Sequence, residues 1–135
     1  MKDGRYESFE EFWPFYVGEH KDPLNRALHY AGTSMAIGTV VAAAVTANPT
    51  WLLLTPIVGY TPAWIGHFFI EGNKPASFKY PVWSLRGDLK MLAMALQGKM
   101  ADEVARVCAA EAPAPAPAAA PEAAVTNGAA TASVN

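Results

Sequence analysis

Residues 30–70 read YAGTSMAIGTVVAAAVTANPTWLLLTPIVGYTPAWIGHFFI, a run of 41 residues without one Asp, Glu, Lys or Arg. As a continuous helix it would measure about 60 Å, twice the roughly 30 Å hydrocarbon core of a bilayer. Asn48-Pro49-Thr50 falls near its middle and has the composition of a turn. The stretch therefore predicts a membrane helical hairpin with two spans, about 28–47 and 51–70. A buried hairpin in a soluble protein is the competing reading. It is the weaker one, because the rest of the chain has too little apolar sequence to cover two such helices.

The first span is rich in small residues, among them Gly32, Ala36, Gly38 and Ala42 to Ala44, which let membrane helices approach closely. The second contains Pro56, Gly59 and Pro62, and so predicts a kinked or partly unwound helix. Lys2, Arg5, Lys21 and Arg26 precede the hairpin, Lys74, Lys79, Arg86 and Lys90 follow it, and the connecting turn has no positive charge. By the positive-inside rule both termini face the cytoplasm. The expected location is a multi-pass protein of the bacterial inner membrane, or of the endoplasmic reticulum in a eukaryote. Charged residues from Lys2 to Glu11 leave no apolar core for a cleavable signal.

The whole chain of 135 residues has 10 Lys+Arg against 12 Asp+Glu and a single cysteine. That balance argues against nucleic acid as a partner, and one cysteine excludes an intramolecular disulfide scaffold. Ser8-Phe9-Glu10-Glu11 fits a capping box. It predicts a short helix whose Phe9, Phe12, Trp13 and Tyr16 lie in the headgroup region, with Pro14 in its first turn. Gly72 to Pro81 reads as a loop, and Val82 to Lys99 as an amphipathic helix with Trp83, Leu85, Leu89 and Leu92 on its apolar side. A further helix over Met100–Cys108 completes an all-α domain, residues 1–108, followed by a disordered Ala/Pro-rich tail, residues 109–135.

There are only three histidines, His20, His29 and His67. His29 stands 20 residues before Pro49 and His67 stands 18 after it. In antiparallel spans both imidazoles would reach one depth, at the cytoplasmic mouth. The Asp22-Pro23 bend can fold His20 back to the same point, and Glu71, four residues after His67, would share its helical face. Imidazoles with a carboxylate suit a borderline divalent metal, including non-haem Fe(II). Each histidine alone reads more readily as an interfacial anchor or a hydrogen-bonded core residue than as a ligand. Arg26 and Lys74 lie near the mouth, able to pair with a substrate carboxylate or to serve as ordinary anchors.

His20-Lys-Asp-Pro-Leu-Asn25-Arg-Ala-Leu-His29 and Gly66-His67-Phe-Phe-Ile-Glu71-Gly-Asn-Lys-Pro75-Ala76 resemble the signatures of the 2-hydroxy fatty acid dioxygenase-like family of small membrane proteins. The likeness covers about residues 12–97, includes Tyr16, and lies nearest the compact bacterial branch. It implies an Fe(II)-dependent oxidoreductase of fatty acid α-oxidation. The substrates would be a lipid-like 2-hydroxy acid and O2, and the acid would lose one carbon. His20, His29 and His67 are then the implied metal ligands, and Glu71 a catalytic residue acting as ligand, as orienter of an imidazole, or as proton acceptor. The alternative is a non-enzymatic membrane scaffold or lipid-binding protein, which the aromatic helix and the tail would suit equally well.

Overall fold

The computed structural model describes residues 5–111, and of the tail expected over 109–135 all from residue 112 onward lies outside them. The described chain is all-helical: α1 (Phe9–Gly18), α2 (Pro23–Thr46), α3 (Thr55–Ile65), α4 (Pro81–Leu96) and α5 (Met100–Glu111). Short turns of other pitch fill the joins, a 3₁₀ turn over Pro49–Leu53, a π turn over Gly66–Glu71 and a 3₁₀ turn over Ala76–Phe78. Helix α5 thus runs past the expected end at Cys108 to Glu111.

The hairpin forms where the charge gap places it. Asp22 caps α2, its carboxylate accepting from the amides of Leu24 and Asn25, and Pro23 supplies a pre-set first residue. The helix ends at Ala47, which adopts the left-handed conformation (φ 49°). Asn48 then caps the reversal, its Oδ1 accepting from Thr50 N at 3.0 Å. Contacts between the arms run in antiparallel order: Thr39 meets Thr55, Gly32 meets Gly59, and Asn25 meets Gly66. Only part of the small-residue face is used for this crossing. A Cβ on Gly32 would stand 2.6 Å from the carbonyl oxygen of Gly59, whereas one on Gly38 would meet nothing within 4 Å.

Two stretches, Pro23–Thr46 and Pro49–Glu71, are long and apolar enough to cross a membrane. Their apolar side chains point outward: Val45 is 80% exposed, Leu53 71% and Phe69 82%. As the prolines predict, the second stretch is not one α-helix but a 3₁₀ turn, an α-helix and a π turn in succession.

The true core lies beside the hairpin. The aromatic face of α1, expected against headgroups, is covered by α4 and α5 instead: Phe12, Trp13, Tyr16 and Val17 are buried with Met91, Met100 and Val107. Ser8 caps α1 as expected, but Glu11 reaches back to the Glu7 amide (3.2 Å), one residue before the cap. Pro14 sits in the helix interior rather than in the first turn. The bond it forgoes belongs to the carbonyl of Glu10, an exposed residue. Helix α4 turns its small residues inward, with Ser84, Gly87 and Met91 buried while Leu85 and Leu89 remain outside. Gly87 is required there, because a Cβ would stand 2.9 Å from the Tyr16 ring.

Helix α5 is fastened to α1 by one carboxylate. Glu103 accepts from Trp13 Nε1 at 2.6 Å and from both Arg106 nitrogens at 2.7 and 2.8 Å, while Lys90 lies 4.0 Å above the Trp13 ring. Arg106, helped by Trp13, holds the Glu103 carboxyl down at about 2, against an ordinary 4.5. A depressed carboxyl stabilises the fold above its unfolded value and loses that contribution as it protonates. We therefore expect acid to release α5 as the pH falls from about 4.5 towards 2. Indole fluorescence would follow the release, and Glu103→Gln would remove this acid step. Identical acid titrations for the two proteins would refute the assignment.

Candidate metal centre

The three histidines come from three different structural contexts and meet. His20 lies in the link between α1 and α2, His29 within α2, and His67 in the π turn. The link is folded back by Arg26, whose Nη1 donates to the carbonyls of His20 (2.9 Å) and Lys21 (2.6 Å). Arg26 is thereby committed to the backbone of the link. All three imidazoles are buried, and one ring nitrogen from each lies within 4.8 Å of the others. The rings are mutually edge-on, with centroids 4.4, 4.7 and 5.0 Å apart.

Each imidazole has its Nδ1 tied to an acceptor. His20 Nδ1 donates to the carbonyl of Tyr16 (2.6 Å), His29 Nδ1 to Asp88 Oδ1 (2.7 Å) and His67 Nδ1 to Asn73 Oδ1 (2.7 Å). The Asn73 amide is itself oriented, since its Nδ2 donates to the Glu19 carbonyl at 3.1 Å. Asp88 Oδ1 also accepts from Tyr16 Oη at 2.6 Å. Burial, then the Asp88 carboxylate, raises the Tyr16 phenol well above its ordinary range, so it stays a donor. With every Nδ1 protonated, each Nε2 carries a free lone pair.

These lone pairs face one another. His20 Nε2 and His29 Nε2 stand 3.2 Å apart in a buried site, and as neutral imidazoles they would confront each other as two acceptors. Burial, followed by the neighbouring His29, pushes His20 well below the ordinary histidine range and opposes filling the gap with a proton. A divalent cation would resolve that repulsion. At about 2.1 Å per bond, two nitrogens bound at right angles to one ion stand about 3 Å apart. The tied Nδ1–H groups match the partners that metal-binding histidines use to fix tautomer and ring orientation. The three buried histidines can hold a metal ion.

Glu71 takes a different place. Residues 66–71 wind as a π turn, so Glu71 lies a little under one turn from His67 rather than a little over. Its carboxylate accepts from the Asp22 amide (2.9 and 3.3 Å), joining the end of the π turn to the start of α2. Asp88 and Asn73 carried no assigned role in the sequence reading. Asp88 had one legible signal: it lies four residues after Ser84 and three before Met91, on the buried stripe of α4.

Two cavities adjoin the cluster. One of about 20 Å³ is lined by Tyr16, His29, His67, Ser84 and Asp88, among others. The second, of about 460 Å³, begins at His29, Ser84 and Asp88 and continues as an apolar groove between α2, α3 and α4. Ser84, common to both, has a buried Oγ with no hydrogen-bond partner.

Residues 6–100 match the model of a protein family described as 2-hydroxy-palmitic acid dioxygenase Mpo1-like. No curated protein and no solved structure matches the chain. The matched segment runs from Tyr6 to Met100 and takes in the hairpin, all three histidines, Asn73 and Asp88. The chain belongs to the 2-hydroxy-palmitic acid dioxygenase Mpo1-like family.

Proposed function

We propose that the protein is a membrane-embedded, Fe(II)-dependent dioxygenase that removes the carboxyl carbon of a long-chain 2-hydroxy fatty acid. The observation that carries this reading is the convergence of imidazole nitrogens whose Nδ1 atoms are already tied off. His20, His29 and His67 would hold the iron, and three neutral ligands leave positions open for other donors. Bound Fe(II) supplies a site for O2 and for the oxygen donors of the acid.

The chain's own residues set the rest of the chemistry. Asp88 holds the proton on His29 Nδ1 and is held in turn by the Tyr16 hydroxyl. Ser84 Oγ, unpartnered where both cavities meet, offers a hydrogen bond to the acid's polar head. Glu71 acts as a positioning residue through the Asp22 amide, keeping the His20 link against the π turn. The reaction balances without a further reductant. A 2-hydroxy acid and O2 give the acid shorter by one carbon, carbon dioxide and water, and the four electrons O2 accepts all come from the two carbons that part.

The outward apolar residues of both hairpin arms support insertion into a bilayer, with both termini on the cytoplasmic side and the histidines at that face. Detergent-purified protein loaded anaerobically with Fe(II) and then given O2 and 2-hydroxy fatty acids should release one carbon dioxide per O2 consumed. The shortened acid is read by mass spectrometry. Iron bound without turnover at any chain length overturns this reading. Protein that binds lipid but no metal favours the scaffold or lipid-binding alternative.

A further inference from the structure

The larger cavity is continuous with the histidine cluster and has a direction. It shares His29, Ser84 and Asp88 with the smaller cavity and extends to Val40, Val41 and Pro56. From His29 to Val41 is twelve residues of α2, about 18 Å along the helix axis, leading from the cluster towards the hairpin turn. Its polar groups lie mainly at the cluster end, and its remaining wall is mostly aliphatic. Near the far end the hairpin is clasped by two threonines. Thr39 Oγ1 donates to the Ala36 carbonyl at 2.7 Å, so in its 2.8 Å bond with Thr55 the Thr55 hydroxyl is the donor.

We infer that this groove seats the alkyl chain of the substrate, its methyl end at Val40, Val41 and Pro56, and thereby sets the preferred chain length. The inference rests on the proposed function and adds to it a residue-level account of specificity. A second copy of this chain would bring no such polar head to the unpartnered Ser84 Oγ at the mouth. Val40 and Val41 are about half exposed, so the groove opens along its side, and a chain enters laterally rather than by threading.

Chemical mapping and selectivity test this together. A 2-hydroxy acid carrying a diazirine at its methyl end, photolysed anaerobically on the detergent-purified protein, should label Val40, Val41 and Pro56. A shorter homologue should label residues nearer the mouth. Val40→Phe and Val41→Phe each shorten the seat. Displacing about two methylenes, at about 0.8 kcal/mol each, should lower the long-to-short ratio of kcat/KM about tenfold. Val45→Phe, outside the groove, should leave that ratio unchanged. Labelling that spreads over Val45, Leu53 and Phe69, or that ignores probe length, overturns the groove assignment. Absence of turnover in the unaltered protein overturns the proposed function instead, and the label map still decides the groove.

Discussion

Protein carrying His29→Ala should purify without iron, and its turnover of 2-hydroxy acids should fall to background. His29 stands at the centre of the site: its Nε2 faces that of His20 at 3.2 Å, and its Nδ1 is the one tied to a carboxylate. Alanine removes a proposed ligand and strands Asp88 with only the Tyr16 hydroxyl. Asp88→Ala should give an intermediate result, because all three histidines remain while the His29 ring loses its orienting acceptor. Loss of such a partner commonly weakens metal binding by about 10–100-fold. Tyr16→Phe removes one bond to Asp88 and leaves His29 tied, so its effect should be the smallest of the three. The readouts are iron per chain by elemental analysis and the dissociation constant from metal titration. Full iron occupancy in His29→Ala would remove the basis for the proposed chemistry.

The largest effect on stability is expected at the crossing of the hairpin. In Gly32→Ala the new Cβ would lie 2.6 Å from the backbone oxygen of Gly59, an atom that cannot rotate away, so α2 and α3 must separate. Overpacking of this kind costs about 1–3 kcal/mol. For a domain of this size that corresponds to a melting temperature lower by roughly 5–15 °C. Gly38→Ala has the opposite sign. Nothing lies within 4 Å of that Cβ, and alanine is the better helix former by about 0.5–1 kcal/mol. Thermal melts in one detergent decide the comparison, and equal destabilisation of the two variants would mean that Gly32 does not lie at a helix crossing.

The hairpin was legible because the absence of charge over residues 30–70 is a one-dimensional signal, and because Asn48-Pro49 marks the reversal by local chemistry. The shared depth of His29 and His67 followed from counting, and Asp22-Pro23 gave the fold-back of His20 its mechanism. Composition does not encode which face of a helix is used. Gly32 and Gly38 look alike in sequence, yet one touches a backbone and the other faces open space. For the same reason α1 was expected at the lipid surface, although its aromatic face meets α4 and α5. The bond from the Asp22 amide to Glu71 joins residues 49 apart, which no local spacing reports. Asp88 went without a role because its two partners lie 59 and 72 residues away, beyond the reach of any local pattern.

The three donor rings are separated along the chain by the hairpin itself. A nascent polypeptide that has emerged only through α2 can present His20 and His29, while His67 arrives after the second arm has been made and turned back. Until then the coordination sphere lacks one of its nitrogens. Under the proposed function, metal capture would be a late event in biogenesis, and iron retention would report that both arms have docked in their final order.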